Sequence, residues 1–396
     1  MILYRNTVES VQSNTSSEMV QTKVQYDYGL SDEERKAVLA ILQGDKFVGH
    51  EQKRKLEKEF CDYIGAKYAV ALSSGTAGIH CSLLALGVQT GDEVITVANT
   101  HSTPAMCIMN AGAKPVLVDI DEETLNIDPT KTEEKITPRT KALMPVHSNG
   151  HPYNVDPVKE VAQKHGLPVI EDAAQSLGAK YKGKRLGTSG DVGVYSFARH
   201  KHVVAGGWGG IIVTDNEEIA DSVRTFASQG RDRRYEEKSE YGVPMGLSGR
   251  VGYSYWLSEV NAAIARVQFK KFRTGSLRVE KRRRNAERYN ELLEGIPSVQ
   301  TPIEKEWAYH SYCRYVVRAK DRNRLYTYLT KKGIYVAVHY FTPIYREPYY
   351  TERFGLTNEG FPFTEKASKE VLTLPSWPQL AEKQLVYVTN SIRKFY

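Results

Sequence analysis

Cysteine is scarce in this chain, and the way it is scattered excludes two classes of protein. The four cysteines, Cys61, Cys81, Cys107 and Cys313, are spread through 396 residues without CxxC spacing. Neither a disulfide framework nor a zinc site is expected, so the metal prediction is none. Cys81 and Cys107 sit among apolar neighbours and read as small core residues. Long apolar runs are missing too, since no stretch approaches the ~20 residues a membrane helix requires. The opening MILYRNTVES has no basic segment followed by an apolar one. No secretory signal is therefore expected, and the cytoplasm is the expected compartment. Internal repeats and low-complexity tracts are also absent.

Charge of one sign is not concentrated either. The formal net charge is +7, mild for this length, and the one dense cluster is Arg278, Lys281, Arg282, Arg283 and Arg284. It continues into NAERYNELLEG, a helical pattern, and reads as a solvated helix face rather than a nucleic-acid surface. An anionic substrate or a subunit contact is the alternative. With 41% hydrophobic and 26% charged residues, the composition excludes disordered and fibrous classes. The length favours one large domain and a smaller one. Tyrosine is abundant at 25 residues; several in YFTPIYREPYYTERF suit packing with a polar tip, or a sugar or nucleotide site.

Residues 1–24 are rich in Ser, Thr, Gln and Glu and read as a flexible N-terminal extension. SDEERKAVLAILQG then carries a capping-box pattern, Ser31 with Glu34, and ends on Gly44, as a capped helix does. KLEKEFCDYIGA gives a second amphipathic helix. From there, short β-branched runs alternate with helical ones: YAVALSS, DEVITVA, KPVLVDI, TKALMPV, LPVIEDA, DVGVYSF and GGIIVTD. Continuous apolar strands between helices imply a mostly parallel sheet buried on both faces, an α/β doubly wound layer. A long helix follows in WLSEVNAAIARVQFKKF. The remainder gives a helix, a strand in HSYCRYVVRAK, a helix to Gly333, a strand in IYVAVHYF and a final helix after Pro378. The expected division is a large α/β domain over 25–275 and a small C-terminal α+β domain over 276–396.

Several polar residues fall at the carboxyl ends of these strands, where open α/β sheets bind ligands. Ser74, Gly75 and Thr76 lie between a strand and a helix, and a helix N-terminus suits a phosphate dianion. Simple capping is the bland alternative. Asp172 ends an apolar strand, where a carboxylate needs a partner. A protonated pyridine nitrogen would be one; a helix cap or ion pair would serve as well. Gln175, one turn on, has reach to the same ligand. Lys201 follows the strand DVGVYSF and precedes the small-residue run AGGWGG. A lysine in a dry pocket loses pKa from ~10.4 and becomes a nucleophile and base. Ser196 adds a phosphate contact. Helix-terminal turn, strand-end acid and lysine, in this order, are the parts of a pyridoxal phosphate site.

SSGTAG, DAAQS, SFxxxK followed by GGxGG, LSEVNAAIARVQ, HYFTPIY and LTLPSWPQL resemble the DegT/DnrJ/EryC1/StrS aminotransferases, from about Tyr26 to the C-terminus. The resemblance implies the fold of the type-I pyridoxal 5'-phosphate enzymes, a homodimer with shared active sites, and small-molecule substrates. It implies glutamate or glutamine as amino donor and a keto-sugar, nucleotide-linked, or a keto-cyclitol as acceptor. Lys201 then matches the Schiff-base lysine and Asp172 the pyridine-nitrogen partner, with Gln175 beside it. Ser74, Gly75, Thr76 and Ser196 match phosphate contacts, and His101 falls where an aromatic stacks on the ring. Ser254 stands where an asparagine usually reaches the partner subunit's phosphate. Trp208 and Trp256 replace an acidic residue and an arginine. The loss of a positive charge and the gain of aromatic area suggest a less anionic or differently shaped acceptor. The competing expectations are a sugar dehydratase or deoxygenase on the same fold, where histidine replaces the lysine, and a non-catalytic regulatory protein.

Overall fold

The computed structural model describes Val24 and residues 29–44, 49–231, 237–238, 244–245, 249–355 and 359–396. The N-terminal extension expected over 1–24 lies outside the described residues except for Val24. That residue is buried and pairs with Ile334.

Helix α1 (Asp32–Leu42) starts at the expected capping box: Ser31 Oγ accepts from Glu33 N–H, and Glu34 accepts from the Ser31 backbone N–H at 3.0 Å. Glu34 is also buried and paired with Lys271 at 2.8 Å, so the capping glutamate ties the helix to the interior. Helix α2 (Glu51–Ile64) ends at Gly65, whose φ of 89° suits glycine. No side chain of its own caps the N-terminus of α2. Glu259, far along the chain, accepts from Gln52 and Lys53 N–H at 2.8 and 3.1 Å instead.

The alternation predicted from sequence is present: β1 (Tyr68–Leu72), α3 (Gly75–Ala85), β2 (Glu93–Val97), α4 (Thr103–Asn110), β3 (Lys114–Val118), β4 (Thr140–Met144), α5 (Val155–His165), β5 (Ile170–Asp172), β6 (Val192–Ser196), β7 (Gly210–Thr214) and α6 (Glu217–Ala227). Strand order is β3-β2-β4 and β5-β6-β7-β1, and parallel bridges Leu143–Val169 and Val146–Asp172 join β4 to β5. The pairs β2–β3, β2–β4 and β5–β6 are parallel, whereas β7 runs antiparallel to β6 and to β1. This is the expected α/β architecture, with one strand reversed. The reversal matters for the site. It brings the start of β7, at Gly210, to the edge where β1 and β6 end, in register with Leu72 and Ser196.

Both faces of the sheet are covered. Ile79 and Leu83 of α3 pack with Val194, Ile212 and Val223, while Leu56 and Phe60 of α2 pack with Phe197, Ile211 and Phe269. Successive residues of β7 thus enter opposite cores, as the period of a strand requires. Helix α7 (Glu259–Thr274) begins after its cap, Ser258, and not at Trp256, because the Ser258 hydroxyl accepts the Asn261 N–H at 3.1 Å.

A separate hydrophobic cluster gathers Val24 with residues of α8 (Val279–Leu293), β8 (Tyr315–Ala319), α9 (Arg322–Lys331), β9 (Val371–Leu374) and α10 (Glu382–Phe395). Two expectations fail here. IYVAVHYF forms no regular strand; only Ile334 and Ala337 bridge, to Val24 and Thr373, while Tyr335 and His339 turn to a cavity. Nor is the arginine cluster wholly a solvated face. Arg278 and Arg284 are exposed, but Arg282 is 6% exposed and donates to the carbonyls of Tyr312, Cys313 and Ser376. Helical periodicity turns every third or fourth residue inward, and here that residue is a cation met by free carbonyls.

Candidate active site

A cavity of about 350 Å³ opens where β1, β5 and β6 end, roofed by residues around β8 and β9. Its floor is built by close backbone approach. Ser74 caps α3 by accepting the Ala77 N–H at 3.0 Å, and Ser74, Gly75, Thr76 and Ser196 line one end of the cavity. A Cβ on Gly75 would lie 3.0 Å from Cβ of Ser196, a tight contact, so glycine lets the α3 N-terminus and Ser196 frame one small concavity without displacing either. A Cβ on Gly210 would overlap the backbone of Ser74 and Gly75. Backbone cannot step aside as a side chain does. Gly210→Ala is therefore expected to cost about 3 kcal/mol or more of stability, read by denaturant unfolding. It should also weaken phosphate binding at the α3 N-terminus.

The adjacent acids Glu171 and Asp172 divide their work, because neighbouring strand residues face opposite ways. Glu171 is fully buried. Burial raises its pKa, but His147 Nε2 at 2.9 Å and the N–H groups of Gly187 and Gly190, at 3.0 and 2.7 Å, hold it below the usual carboxylate value. Asp172 faces the cavity. Its Oδ1 accepts the Ala174 N–H at 3.0 Å, and Oδ2 has no hydrogen bond among the described residues. Burial accordingly raises its carboxyl pKa, against the smaller pull of the Ala174 N–H and Lys201. A buried carboxylate with one open oxygen fits a cationic ring nitrogen.

Lys201 also lines the cavity. The loop between β6 and β7 is held by Phe197 N–H to Gly209 O at 2.7 Å and by Ala205 N–H to Phe197 O at 3.0 Å. His200, just before the lysine, takes a φ of 70°, an unusual conformation for a residue with a side chain. Burial, and then the charge of Arg314, push the Lys201 pKa down to about 8. No carboxylate pairs with Lys201 among the described residues.

His101 stands at the mouth of the cavity, exposed on one side. Its Nδ1 accepts the Thr103 N–H at 3.2 Å, which leaves the proton on Nε2. Burial against the cavity wall and the charges of Lys201 and Arg314 lower its pKa, so it presents a neutral ring at neutral pH. Gln175 is buried. Its Oε1 accepts from the Asn149 N–H at 3.0 Å and from Arg314 at 2.5 Å, and its Nε2 donates to Tyr340 OH at 3.3 Å. The structure thus brings Ser74, Gly75, Thr76, His101, Asp172, Gln175, Ser196 and Lys201 to one cavity.

Ser254 does not join them. It is exposed, bridges to Ser228, and lies outside the lining of this cavity. The two tryptophans separate. Trp208 sits on the cavity wall, 70% exposed, while Trp256 stacks on His50 at 5.3 Å and takes the Lys53 ammonium 3.5 Å from its ring centre. Only one of the expected aromatic gains is therefore at the site of its own chain.

Cys313, Arg314, Tyr335, His339 and the segment after Leu374 also line the cavity, and the sequence by itself points to no role for them. Burial raises the pKa of the Cys313 thiol, but His202, Lys201 and Arg314 outweigh it and push it to about 6. The signal for Arg314 is a cation directly before the strand YVVRA, one of two arginines there with Arg318; the others come from segments whose sequence only marks packing.

The model of the DegT/DnrJ/EryC1/StrS aminotransferase family matches residues 29–393. A pleiotropic regulatory protein of Geobacillus stearothermophilus is 37% identical over 380 residues, 96% of this chain and 98% of its own length. The spore coat polysaccharide biosynthesis protein SpsC of Bacillus subtilis is 36% identical over 86% of this chain and 88% of its own. Among solved structures, S. venezuelae DesV in complex with a ketimine intermediate superposes with a TM-score of 0.83 at 31% identity, over 92% of this chain and 94% of its own.

Proposed function

Because the chain belongs to the DegT/DnrJ/EryC1/StrS aminotransferase family and is a pyridoxal-phosphate-dependent aminotransferase, we propose that it aminates a keto-sugar. The acceptor is nucleotide-linked, or a keto-cyclitol, and the amino donor is glutamate or glutamine. The proposal includes a cytoplasmic homodimer. In it Ser254, outside the lining of its own chain's cavity, serves the site of a second copy. It also divides the chain near residue 275, the smaller part closing the cavity.

When bound, pyridoxal phosphate supplies an aldehyde that accepts amines and a cationic ring that withdraws electrons. The residues supply the rest. Ser74, Gly75, Thr76 and Ser196 hold the phosphate at the α3 N-terminus, where N–H groups and the helix dipole favour an anion. Asp172 keeps the ring nitrogen protonated, His101 stacks on the ring as a neutral imidazole, and Gln175 holds the ring's edge. Lys201, neutral in a useful fraction near pH 8, takes the proton from the donor Cα and later delivers one to the acceptor carbon. The observation that carries this is the pairing of a lysine of depressed pKa with an acid whose outer oxygen has no partner among the described residues.

The test is the near-ultraviolet and visible spectrum of the purified protein before and after L-glutamate. Loss of the lysine-dependent band with growth of the aminated-cofactor band is the expected result. A band indifferent to glutamate and glutamine would refute the donor assignment. The relative named a pleiotropic regulatory protein motivates a second reading, a ligand sensor without turnover; bound cofactor that responds to no amino donor would favour it. Dehydratase-type chemistry with histidine as the base finds less support. His202 is buried with its Nε2 3.2 Å from the Ser311 carbonyl, and lysine occupies the position itself.

A further inference from the structure

The cavity carries more positive charge than its one carboxylate and the Cys313 thiol balance. Lys201, Arg199, Arg282 and Arg314 line it, and Asp172 is the only carboxylate among its described lining residues. Arg282 is committed to three backbone carbonyls. Arg314 is placed differently. It directly precedes β8, and its backbone is fixed by its N–H to the Asn149 carbonyl at 3.1 Å. Every side-chain hydrogen bond it makes among the described residues uses one nitrogen, Nη1. That nitrogen meets Gln175 Oε1 at 2.5 Å, Tyr340 OH at 3.3 Å and Asn149 Oδ1 at 3.4 Å, all neutral partners. Nη2 and Nε, the other edge of the fork, have no hydrogen bond among the described residues, and no carboxylate there pairs with Arg314.

A guanidinium cannot shed its proton to escape burial. A half-buried cation hydrogen-bonded among the described residues only to two amides and a phenol, offset in part by the Cys313 thiol and opposed by Lys201, is costly until an anion meets its open edge. Its open edge presents two parallel N–H donors, the spacing of the two oxygens of a carboxylate. The phosphate has its own place at the α3 N-terminus.

We propose that Arg314 is a carboxylate-binding residue of the substrate site, receiving the carboxylate of a substrate whose reacting carbon lies at Lys201. This deepens the aminotransferase proposal and rests on it for which molecules arrive. A carboxylate comes from one of two sources here: the amino-acid donor, or an acceptor that is itself a sugar acid.

The experiment uses calorimetric titration of the cofactor-loaded protein with glutarate, a donor-like dicarboxylate that cannot react, and with D-glucuronate, an acidic sugar. Wild type, Arg314→Gln and Arg314→Lys are compared. Arg314→Gln should weaken one of the two about 10- to 100-fold, the effect of losing a charged hydrogen-bond pair, and Arg314→Lys should recover part of it. Loss of glutarate binding identifies the donor, and loss of glucuronate binding the acceptor. Cofactor content, read by absorbance, should be unchanged in Arg314→Gln. Equal affinities in wild type and Arg314→Gln, binding of neither ligand by wild type, or loss of cofactor in place of ligand would each overturn the assignment. Failure of the wider proposal looks different: the wild type would bind a carboxylate through Arg314, yet glutamate would leave its spectrum unchanged.

Discussion

Lys201→Ala is expected to lower turnover by about 10⁴-fold or more while the protein stays folded. In the proposed mechanism its amine acts twice, as the nucleophile that captures the aldehyde and as the base at the substrate Cα. Positioned proton transfer alone is worth about 10²–10⁴-fold. The check is single-turnover kinetics with glutamate, beside thermal unfolding to show that the fold survives. An active Lys201→Ala protein would refute the role outright. The pH dependence is equally specific. Capture needs the neutral amine, and burial with Arg314 nearby brings its pKa down to about 8. At pH 7 roughly a tenth of the lysine is neutral, and the capture rate should rise about tenfold per unit below that pKa. Above pH 8 the rate should level off. A solvated lysine would instead keep gaining toward ~10.4. Stopped-flow absorbance of cofactor uptake by the ligand-free protein distinguishes the two. Removing the Arg314 charge should move the break upward.

Asp172→Asn is expected to reduce turnover roughly 10²–10³-fold, the scale of breaking a buried ion pair, and to leave some cofactor bound. The proposed phosphate cradle of Ser74, Gly75, Thr76 and Ser196 does not depend on this carboxylate. Stability should move the other way. In the ligand-free protein burial raises the Asp172 pKa, and Oδ2 has no partner among the described residues. A raised carboxyl pKa means the folded state binds the proton more tightly than the unfolded chain. This site's contribution to stability therefore falls as pH rises from the unfolded pKa, ~3.9, through the raised folded value. Asparagine removes that penalty. Ligand-free Asp172→Asn should thus unfold at a higher temperature than wild type at neutral pH and lose the advantage in acid. Calorimetry at two pH values reads both. A variant with full turnover, or one less stable than wild type at neutral pH, would count against an unpaired buried carboxylate.

Parts of the site were readable because each leaves a local mark. Lys201 is announced by the small-residue run that follows it, Asp172 by an acid at the end of an apolar strand, and Gly75 by a turn opening a helix. Arg314 left a weaker mark, because a cation beside a strand more often snorkels to solvent. The misread elements share a cause. Arg282 lies in a run of like charges whose periodicity marks a helix without saying what faces it. IYVAVHYF has strand composition, but composition does not provide an edge to pair with.

The order of residues alone determined the alternation of strands and helices, the Ser31–Glu34 cap and the main residues proposed to hold the cofactor, because these depend on neighbours within a few positions. Tertiary structure decided three other matters. The reversed sense of β7 brings Gly210 against Gly75, across some 135 positions of chain. Asp172 is turned to the cavity while Glu171 is turned to backbone N–H groups. Arg314, carried in from the roof, is left with an open edge beside Lys201. Each depends on which distant groups share a space. Burial and Coulomb interactions act through that space, and separation along the chain does not encode it.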